Sequence, residues 1–247
     1  MRVLHDCAAV VLAGGQGTRL RSVFPDRQKV IAPVGGRPFV TWTLDRMAGA
    51  GIATAVLCTG HLAGQVRAAI GDRHGRLSLR YSEEPTPLGT GGALRRALAL
   101  TDARTLVVAN GDSVSAVDVA AVVRRHHERR ARATLVLARV PDTARYGRVR
   151  VGRNCRVVGF DEKSRVVGPG WAYAGVAVLA RDLVATVPAP HACSLEHDCF
   201  PRWISDGLEA YRTRTPFIDI GTPDAYADAA HFCASLGTTA AQTPARG

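Results

Sequence analysis

Ala8-Ala9-Val10-Val11-Leu12-Ala13-Gly14-Gly15-Gln16-Gly17-Thr18-Arg19-Leu20 passes without a break from apolar residues into a glycine-rich turn that ends in threonine and arginine. The apolar run shows no alternation, which is the pattern of a strand covered on both faces within a parallel sheet. Such strands deliver the chain to the ligand-binding edge of the sheet. A glycine turn at that edge lets backbone N–H groups approach phosphate oxygens without interference from Cβ. Arg19 adds a planar fork suited to bidentate contact with phosphate. The turn matches neither common phosphate fingerprint: no Gly-Lys-Ser/Thr closes it, and Leu20 stands where GxGxxG needs its third glycine.

The same alternation continues outward. Val40, Leu44 and Met47 recur at helical spacing before Gly49-Ala50-Gly51, and 53–58 forms a second buried run, which predicts a first βαβ unit. A helix is expected over 62–70, a strand over 77–81, a helix over 93–98 after Gly91-Gly92, and a strand over 105–109 that ends at Asn110-Gly111-Asp112. Together these predict an α/β fold: a Rossmann-like, mostly parallel mixed sheet flanked by helices. Gly14 to Arg19 and Asp112 should therefore converge at one edge. From about residue 133 the strand candidates crowd together at 134–140, 147–151, 156–160 and 172–179, which predicts a smaller, more antiparallel region. A helix over 194–204, a short strand over 217–220 and a closing helix over 223–236 follow. With no repeat or linker, a single domain is expected over 1–237, divided into halves of about 1–132 and 133–237. The remainder, 238–247, is small and polar and is expected to be a disordered tail.

Composition narrows the class. The chain has 247 residues, 47% of them hydrophobic, enough for a buried core in one large domain. No run approaches the roughly 20 apolar residues that span a bilayer, and no leader pattern stands at the N-terminus, so a soluble cytoplasmic protein without a membrane partner is expected. The six cysteines are scattered and form no CxxC pair; reduced thiols are expected. Lysine and arginine exceed acids by 32 − 21 = 11, which suits a polyanionic ligand. The densest basic run, 124–132, follows an apolar helical pattern and reads as a helix end. With 6% aromatic residues and no aromatic-basic stripe for stacking bases, nucleic acid is not expected as a partner.

Two acids stand out. Asp112 lies behind Gly111 at a strand end, where a carboxylate reaches the ligand crevice, although a turn aspartate reads equally well there. Asp219 sits between Ile218 and Ile220 and is costly to bury without a partner. Two such acids can chelate one ion.

Taken in order, Leu12 to Leu20, Lys29, Glu84-Pro85-Thr86-Pro87-Leu88-Gly89-Thr90-Gly91-Gly92-Ala93, Gly111-Asp112, Phe160-Asp161-Glu162-Lys163 and Asp219-Ile220-Gly221-Thr222-Pro223 resemble the sugar-1-phosphate nucleotidylyltransferases. The resemblance covers about 8–235. Pro87 to Ala93, Arg145-Tyr146-Gly147 and the short C-terminus resemble most the D-glycero-α-D-manno-heptose 1-phosphate guanylyltransferases. It implies a nucleotide-diphospho-sugar transferase fold whose halves bind nucleotide and sugar. It also implies in-line attack of a sugar 1-phosphate on the α-phosphorus of a nucleoside triphosphate, with loss of pyrophosphate and a Mg²⁺ cofactor. By the same resemblance, Leu12, Ala13, Gly14, Gly15, Gly17, Thr18, Arg19, Glu84, Gly89, Thr90 and Gly111 hold the nucleotide. Arg19, Lys29, Asp112 and Lys163 serve catalysis, and Asp112 with Asp219 binds Mg²⁺. Tyr146, Gly147, Glu162, Lys163 and Gly175 face the sugar phosphate.

Glu84 favours GTP, because a carboxylate can accept from both N1–H and the exocyclic amine of guanine; a solvated acidic turn at Glu83-Glu84 is nearly as good a reading. The alternatives are a mannose- or glucose-type hexose 1-phosphate with ATP, UTP or dTTP, and a non-catalytic nucleotide-sugar-binding protein. A homodimer is one option for assembly. Gln28 and Tyr173 depart from the family pattern, standing where it carries proline before the lysine and, in many relatives, asparagine. The approach to Lys29 and the contacts to sugar hydroxyls are expected to differ accordingly.

Overall fold

The computed structural model describes residues 4, 6–20, 23–162, 167–189 and 191–239, without the side chains of 237–239. The first half contains β1 (Cys7–Leu12), a hairpin of β2 (Pro33–Val34) and β3 (Arg37–Pro38), α1 (Val40–Gly49), β4 (Thr54–Thr59), α2 (Ala63–Ile70), β5 (Arg73–His74), β6 (Leu77–Glu83), α3 (Gly89–Ala97), β7 (Thr105–Asn110), β8 (Ser113–Ser115) and α4 (Val119–Glu128). The second contains β9 (Ala133–Val140), β10 (Arg148–Val151), β11 (Val157–Asp161), β12 (Gly170–Ala180), α5 (Arg181–Ala185), α6 (Phe200–Trp203), β13 (Glu209–Thr213), β14 (Phe217–Asp219) and α7 (Pro223–Thr239). The expected tail beyond Thr239 lies outside the described residues.

Eight strands form one sheet in the order β13-β9-β12-β7-β1-β4-β6-β5. Strands β7, β1, β4 and β6 are parallel. β12 reverses direction between β7 and β9, β13 again runs parallel to β9, and β5 closes the far edge antiparallel to β6. The sheet is thus mostly parallel and mixed, as the apolar runs predicted, and it continues from one half into the other. The antiparallel part of the second half is the pairing of β12 with β9 within the sheet and the ribbon β10–β11 beside it.

The unbroken apolar run of β1 is explained by burial on both faces. Ala8 and Val10 join a core with Ala93, Leu94 and Ala97 of α3, whereas Ala9 and Val11 join a core with Leu44 and Met47 of α1 and Val122 of α4. Each fully buried valine or leucine contributes roughly 1.5–3 kcal/mol. A third, smaller core packs α7 through Ala229 and Cys233 against Ala32, Val34 and Phe39.

Connectivity sets the ligand edge. From β1 the chain builds outward through β4 to β6, then crosses back to place β7 on the other side of β1. The order reverses there, and ligands of open α/β sheets bind in the crevice at such a switch. Leu12 is in register with Asn110 across β1 and β7, so the glycine turn and Asp112 leave the sheet side by side.

Two elements differ from the sequence pattern. α3 begins at Gly89, not after the glycine pair, because those glycines form its tightly packed first turn. A Cβ at Gly91 would lie 3.0 Å from the Cys193 carbonyl oxygen and 3.1 Å from the Cys193 and Cys199 sulfurs. The expected helix over 194–204 is split into a wide turn, Leu195–Cys199, with i to i−5 bonding from Cys199 N to Ser194 O at 3.1 Å, followed by α6. The basic run does end α4, and it is not merely solvated. Arg129 pairs with the buried Glu209 at 3.2 Å, and Arg132 reaches Asp182 and Asp206 at 3.0 and 3.2 Å. Among the described residues no helix is long and apolar enough to cross a membrane.

Candidate active site

A cavity of about 610 Å³ opens at the β1/β7 switch. Of the residues singled out from sequence, Leu12, Gly14, Gly15, Arg19, Lys29, Glu84, Gly89, Thr90, Asp112 and Asp219 line it. A small pocket of about 60 Å³ adjoins it and is lined by Arg19, Tyr146, Gly175 and Asp219 together with Arg145, Tyr173 and Glu196.

Others take different places. Ala13 and Gly111 are built into the wall, with Ala13 N donating to Cys58 O at 2.8 Å and Gly111 N to Leu12 O at 2.9 Å. A side chain at Gly111 would strike that same Leu12 oxygen, so its requirement is close strand packing. Gly17 has φ +61° and passes over Lys29, whose Cβ would lie 3.0 Å from an added methyl. Thr18 is exposed and lines neither cavity. Gly147 closes a turn by donating to Thr143 O at 2.8 Å and also lines neither. Glu162 is exposed, away from both cavities, and Lys163 lies outside the described residues.

The acids meet through a short antiparallel pair. β14 and β8 set Asp219 opposite Ser113, and Ile220 N donates to Asp112 O at 3.0 Å. The Lys29 ammonium donates to Asp112 Oδ2. Burial, and then the neighbouring Asp112 charge, push the Asp219 carboxyl above the ordinary range, against the pull of Lys29, the Gly221 N–H and Arg145. Arg145 also donates to Asp219 O at 2.9 Å.

Lys29 is positioned by Gln28, which sequence reading marked only as a departure. The Gln28 side chain is 1% exposed, and its amide donates to the carbonyls of Ala13 and Gly15, each at 2.8 Å. Its oxygen accepts from Val30 N at 2.9 Å, and its own N–H donates to Gln65 Oε1 at 3.0 Å. Its φ is −65°, the angle a proline ring would impose, but hydrogen bonds hold it there. One side chain thus ties the glycine turn to the short helix that carries Lys29.

Glu84 also lines the cavity, beside the glycine turn. Its Oε2 accepts from Leu88 N at 2.7 Å, and burial raises its carboxyl more than that bond and Arg96 lower it. Its Oε1 lies where a Cβ on Gly14 would fall, at 2.9 Å. Glycine at 14 therefore makes room for a carboxylate as well as for phosphate. In the small pocket the Tyr173 hydroxyl is shut off from solvent with no hydrogen-bond partner among the described residues, and its pKa is raised by burial and then by Glu196.

The nucleotidyl transferase family pattern matches residues 8–235. The chain belongs to the nucleotidyl transferase family. This nucleotidyl transferase is 35% identical over 224 residues to the mannose-1-phosphate guanylyltransferase of Mycobacterium tuberculosis, a match covering 89% of this chain and 62% of that one. It is 33% identical over 222 residues to the D-glycero-alpha-D-manno-heptose 1-phosphate guanylyltransferase of Aneurinibacillus thermoaerophilus, covering 88% and 94%. In three dimensions it is similar to HddC from Yersinia pseudotuberculosis, solved in complex with GMP-PN, with a TM-score of 0.81 and 27% identity over 91% of this chain and 98% of that one. These relatives place it among the sugar-1-phosphate nucleotidylyltransferases.

Several lining residues escaped sequence reading, Asn110, His61, Arg145 and Glu196 among them. Asn110 carried a signal, as the last residue of the strand before Gly111-Asp112. His61, Arg145 as a neighbour of Asp219, and Glu196 carried none, because turn and loop geometry brings them to the cavities.

Proposed function

We propose that this enzyme condenses GTP with a heptose 1-phosphate to give the GDP-sugar and pyrophosphate. The observation that carries the reading is the convergence of Arg19, Lys29, Asp112 and Asp219 in one cavity with a half-buried carboxylate, Glu84. Ligand pockets range over roughly 300–1,000 Å³, and 610 Å³ accommodates a nucleotide. The glycine turn and Arg19 bind the triphosphate, and Lys29 neutralises charge at the α-phosphate. Attack by the sugar phosphate oxygen forms the new P–O bond as the bond to pyrophosphate breaks, so positioning and charge stabilisation do most of the work.

The acids fit Mg²⁺. Among the described residues no cluster of three or more histidine, cysteine or acidic side chains forms a cage, and Mg²⁺ is ordinarily held by one or two carboxylates plus substrate phosphates. The Asp219 carboxyl is raised first by burial and then by the neighbouring Asp112 charge, a situation that a bound cation would relieve. When bound, the ion supplies charge neutralisation at the phosphates. Tyr146, Gly175, Arg145, Tyr173 and Glu196 border the sugar. The continuous sheet supports one domain with nucleotide and sugar halves.

Support for GTP comes from Glu84 and from the two guanylyltransferase relatives. Those relatives divide on the sugar, which makes mannose 1-phosphate the second reading. A matrix of nucleoside triphosphates against sugar 1-phosphates, read by pyrophosphate release and product mass, tests both terms. GTP with heptose 1-phosphate is expected to turn over fastest; preference for UTP or dTTP refutes the role of Glu84, and preference for mannose 1-phosphate replaces the sugar.

A further inference from the structure

Helix α3 separates two cavities. Its first turn faces the nucleotide cavity, and its far side, with α5, borders a second one of about 540 Å³. The lining of this second cavity includes Arg95, Arg96, Arg181 and His191, and no acidic residue. Ion pairs in this chain use other arginines, among them Arg37, Arg129 and Arg132. Among the described residues no carboxylate pairs with Arg95, Arg96 or Arg181.

Their donors are unequally used. Arg181 donates to the carbonyls of Thr101 and Leu98, which caps the turn after α3, and Arg96 Nε donates to Glu83 O at 3.0 Å. Arg95 differs: its Nε is sealed from solvent and has no partner among the described residues. A guanidinium carries five N–H donors, and a buried donor without an acceptor is unfavourable. The rest of the lining is apolar, with Leu98, Ala185 and Pro188 forming a wall.

We propose that the second cavity binds a phosphate ester with an apolar organic body, its anionic group on Arg95 and Arg96 and its body against Leu98, Ala185 and Pro188. The site is linked to the first cavity through Arg96, whose charge acts on Glu84, and through Leu88. Leu88 lines the second cavity while its amide holds Glu84 Oε2, and its carbonyl accepts from Cys193 N at 2.9 Å. A bound ester presses on the residue that fixes Glu84 and so changes nucleotide affinity. That coupling rests on the reading of the first cavity as a nucleotide site; the binding itself does not.

The test is titration calorimetry on the full chain with phenyl phosphate, glucose 6-phosphate, inorganic phosphate and phenol, with and without a saturating non-hydrolysable GTP analogue. Phenyl phosphate is expected to bind once per chain under both conditions, more tightly than glucose 6-phosphate or inorganic phosphate, and phenol not to bind. Arg95→Gln is expected to weaken phenyl phosphate at least about tenfold, the loss of one charge-assisted contact, at unchanged melting temperature. Arg212→Gln, on the distant strand β13, is expected to leave it unaltered. Binding to Arg95→Gln as tight as to the parent, binding abolished by the GTP analogue, or no binding of phenyl phosphate overturns the proposal. Should the GTP analogue itself fail to bind, the nucleotide reading falls, while the Arg95→Gln comparison without nucleotide still decides the second site.

Discussion

The proposed phosphate end and the proposed sugar end of the active-site cavity are built by different means. At the phosphate end the backbone does the shaping: β1 and β7 lie in register, glycines let strands and loop close up, and Gln28 ties loop to lysine with four hydrogen bonds. At the sugar end side chains do it, arriving from β12, from the wide turn before α6 and from β14, and one of them, Tyr173, has a hydroxyl with no partner. Phosphate is common to all substrates of such an enzyme, whereas the sugar varies. Backbone geometry suits the constant part, and replaceable side chains suit the variable one.

The largest expected effect lies where the two ends meet. Asp112→Asn keeps the size of the side chain and removes its charge, so pyrophosphate release is expected to fall by about 10²–10³, the scale for losing one preorganised electrostatic group. The circular dichroism spectrum should be unchanged. Turnover near that of the parent would falsify the assignment of Asp112 to metal and phosphate chemistry, and with it the claim that both ends share a centre.

His126 tests whether the halves behave as one unit. It lies on α4 of the first half, is 3% exposed, and its Nδ1 is 2.9 Å from the Thr134 hydroxyl on β9 of the second. Burial, and then the His127 charge, depress its pKa to about 4 from the ordinary 6.5. Between those values the unfolded chain takes up a proton that the folded chain refuses, so stability falls as pH drops through the window. The slope is about 1.4 kcal/mol per pH unit, on the order of 3 kcal/mol in all. Urea midpoints at pH 7 and pH 4.5 should therefore differ less in His126→Gln than in the parent. Equal differences would remove His126 as the cause.

The two ends also differ in how much of them the sequence reveals. β1, β4 and β7 are legible because burial on both faces leaves unbroken apolar runs, and strands of that kind predict that Gly14 to Arg19 and Asp112 converge; Lys29 is brought to the site only by the family resemblance. Gln28 is visible only as a missing proline, since its partners Ala13, Gly15 and Gln65 are set by tertiary contact. Glu196 cannot be read at all: an i to i−5 turn has no periodic signature, and it is this turn that brings Glu196 to the pocket. The start of α3 is misplaced because glycine lowers helix propensity, whereas packing against Cys193 demands it.

Gln28 sharpens the contrast at the phosphate end. Gln28→Ala leaves the carbonyls of Ala13 and Gly15 and the Val30 amide without their partner, each loss costing about 0.5–1.5 kcal/mol. The kcat is expected to drop roughly tenfold with little change in the KM for the sugar phosphate, since Lys29 is displaced and not removed. Gln28→Pro keeps φ near −65° but loses both the side-chain bonds and the N–H to Gln65, so it should resemble alanine in kcat. Full activity in the proline variant would show that the backbone angle alone positions Lys29.

Tyr173→Phe carries the smallest expected effect and separates the two ends most directly. In the free enzyme it deletes a buried hydroxyl that bonds to nothing, so the melting temperature should hold or rise slightly, because an unpartnered polar group contributes no stability and is unfavourable to bury. The same hydroxyl lines the small pocket together with Glu196, where the sugar is proposed to bind, and its loss should raise the KM for the sugar phosphate severalfold, about 1 kcal/mol, as for one neutral hydrogen bond. The KM for GTP should not move, because no atom of the nucleotide end depends on Tyr173. A parallel rise in both constants would mean that the ends are mechanically coupled through β12, and the division between a backbone-built and a side-chain-built end would fail at that strand.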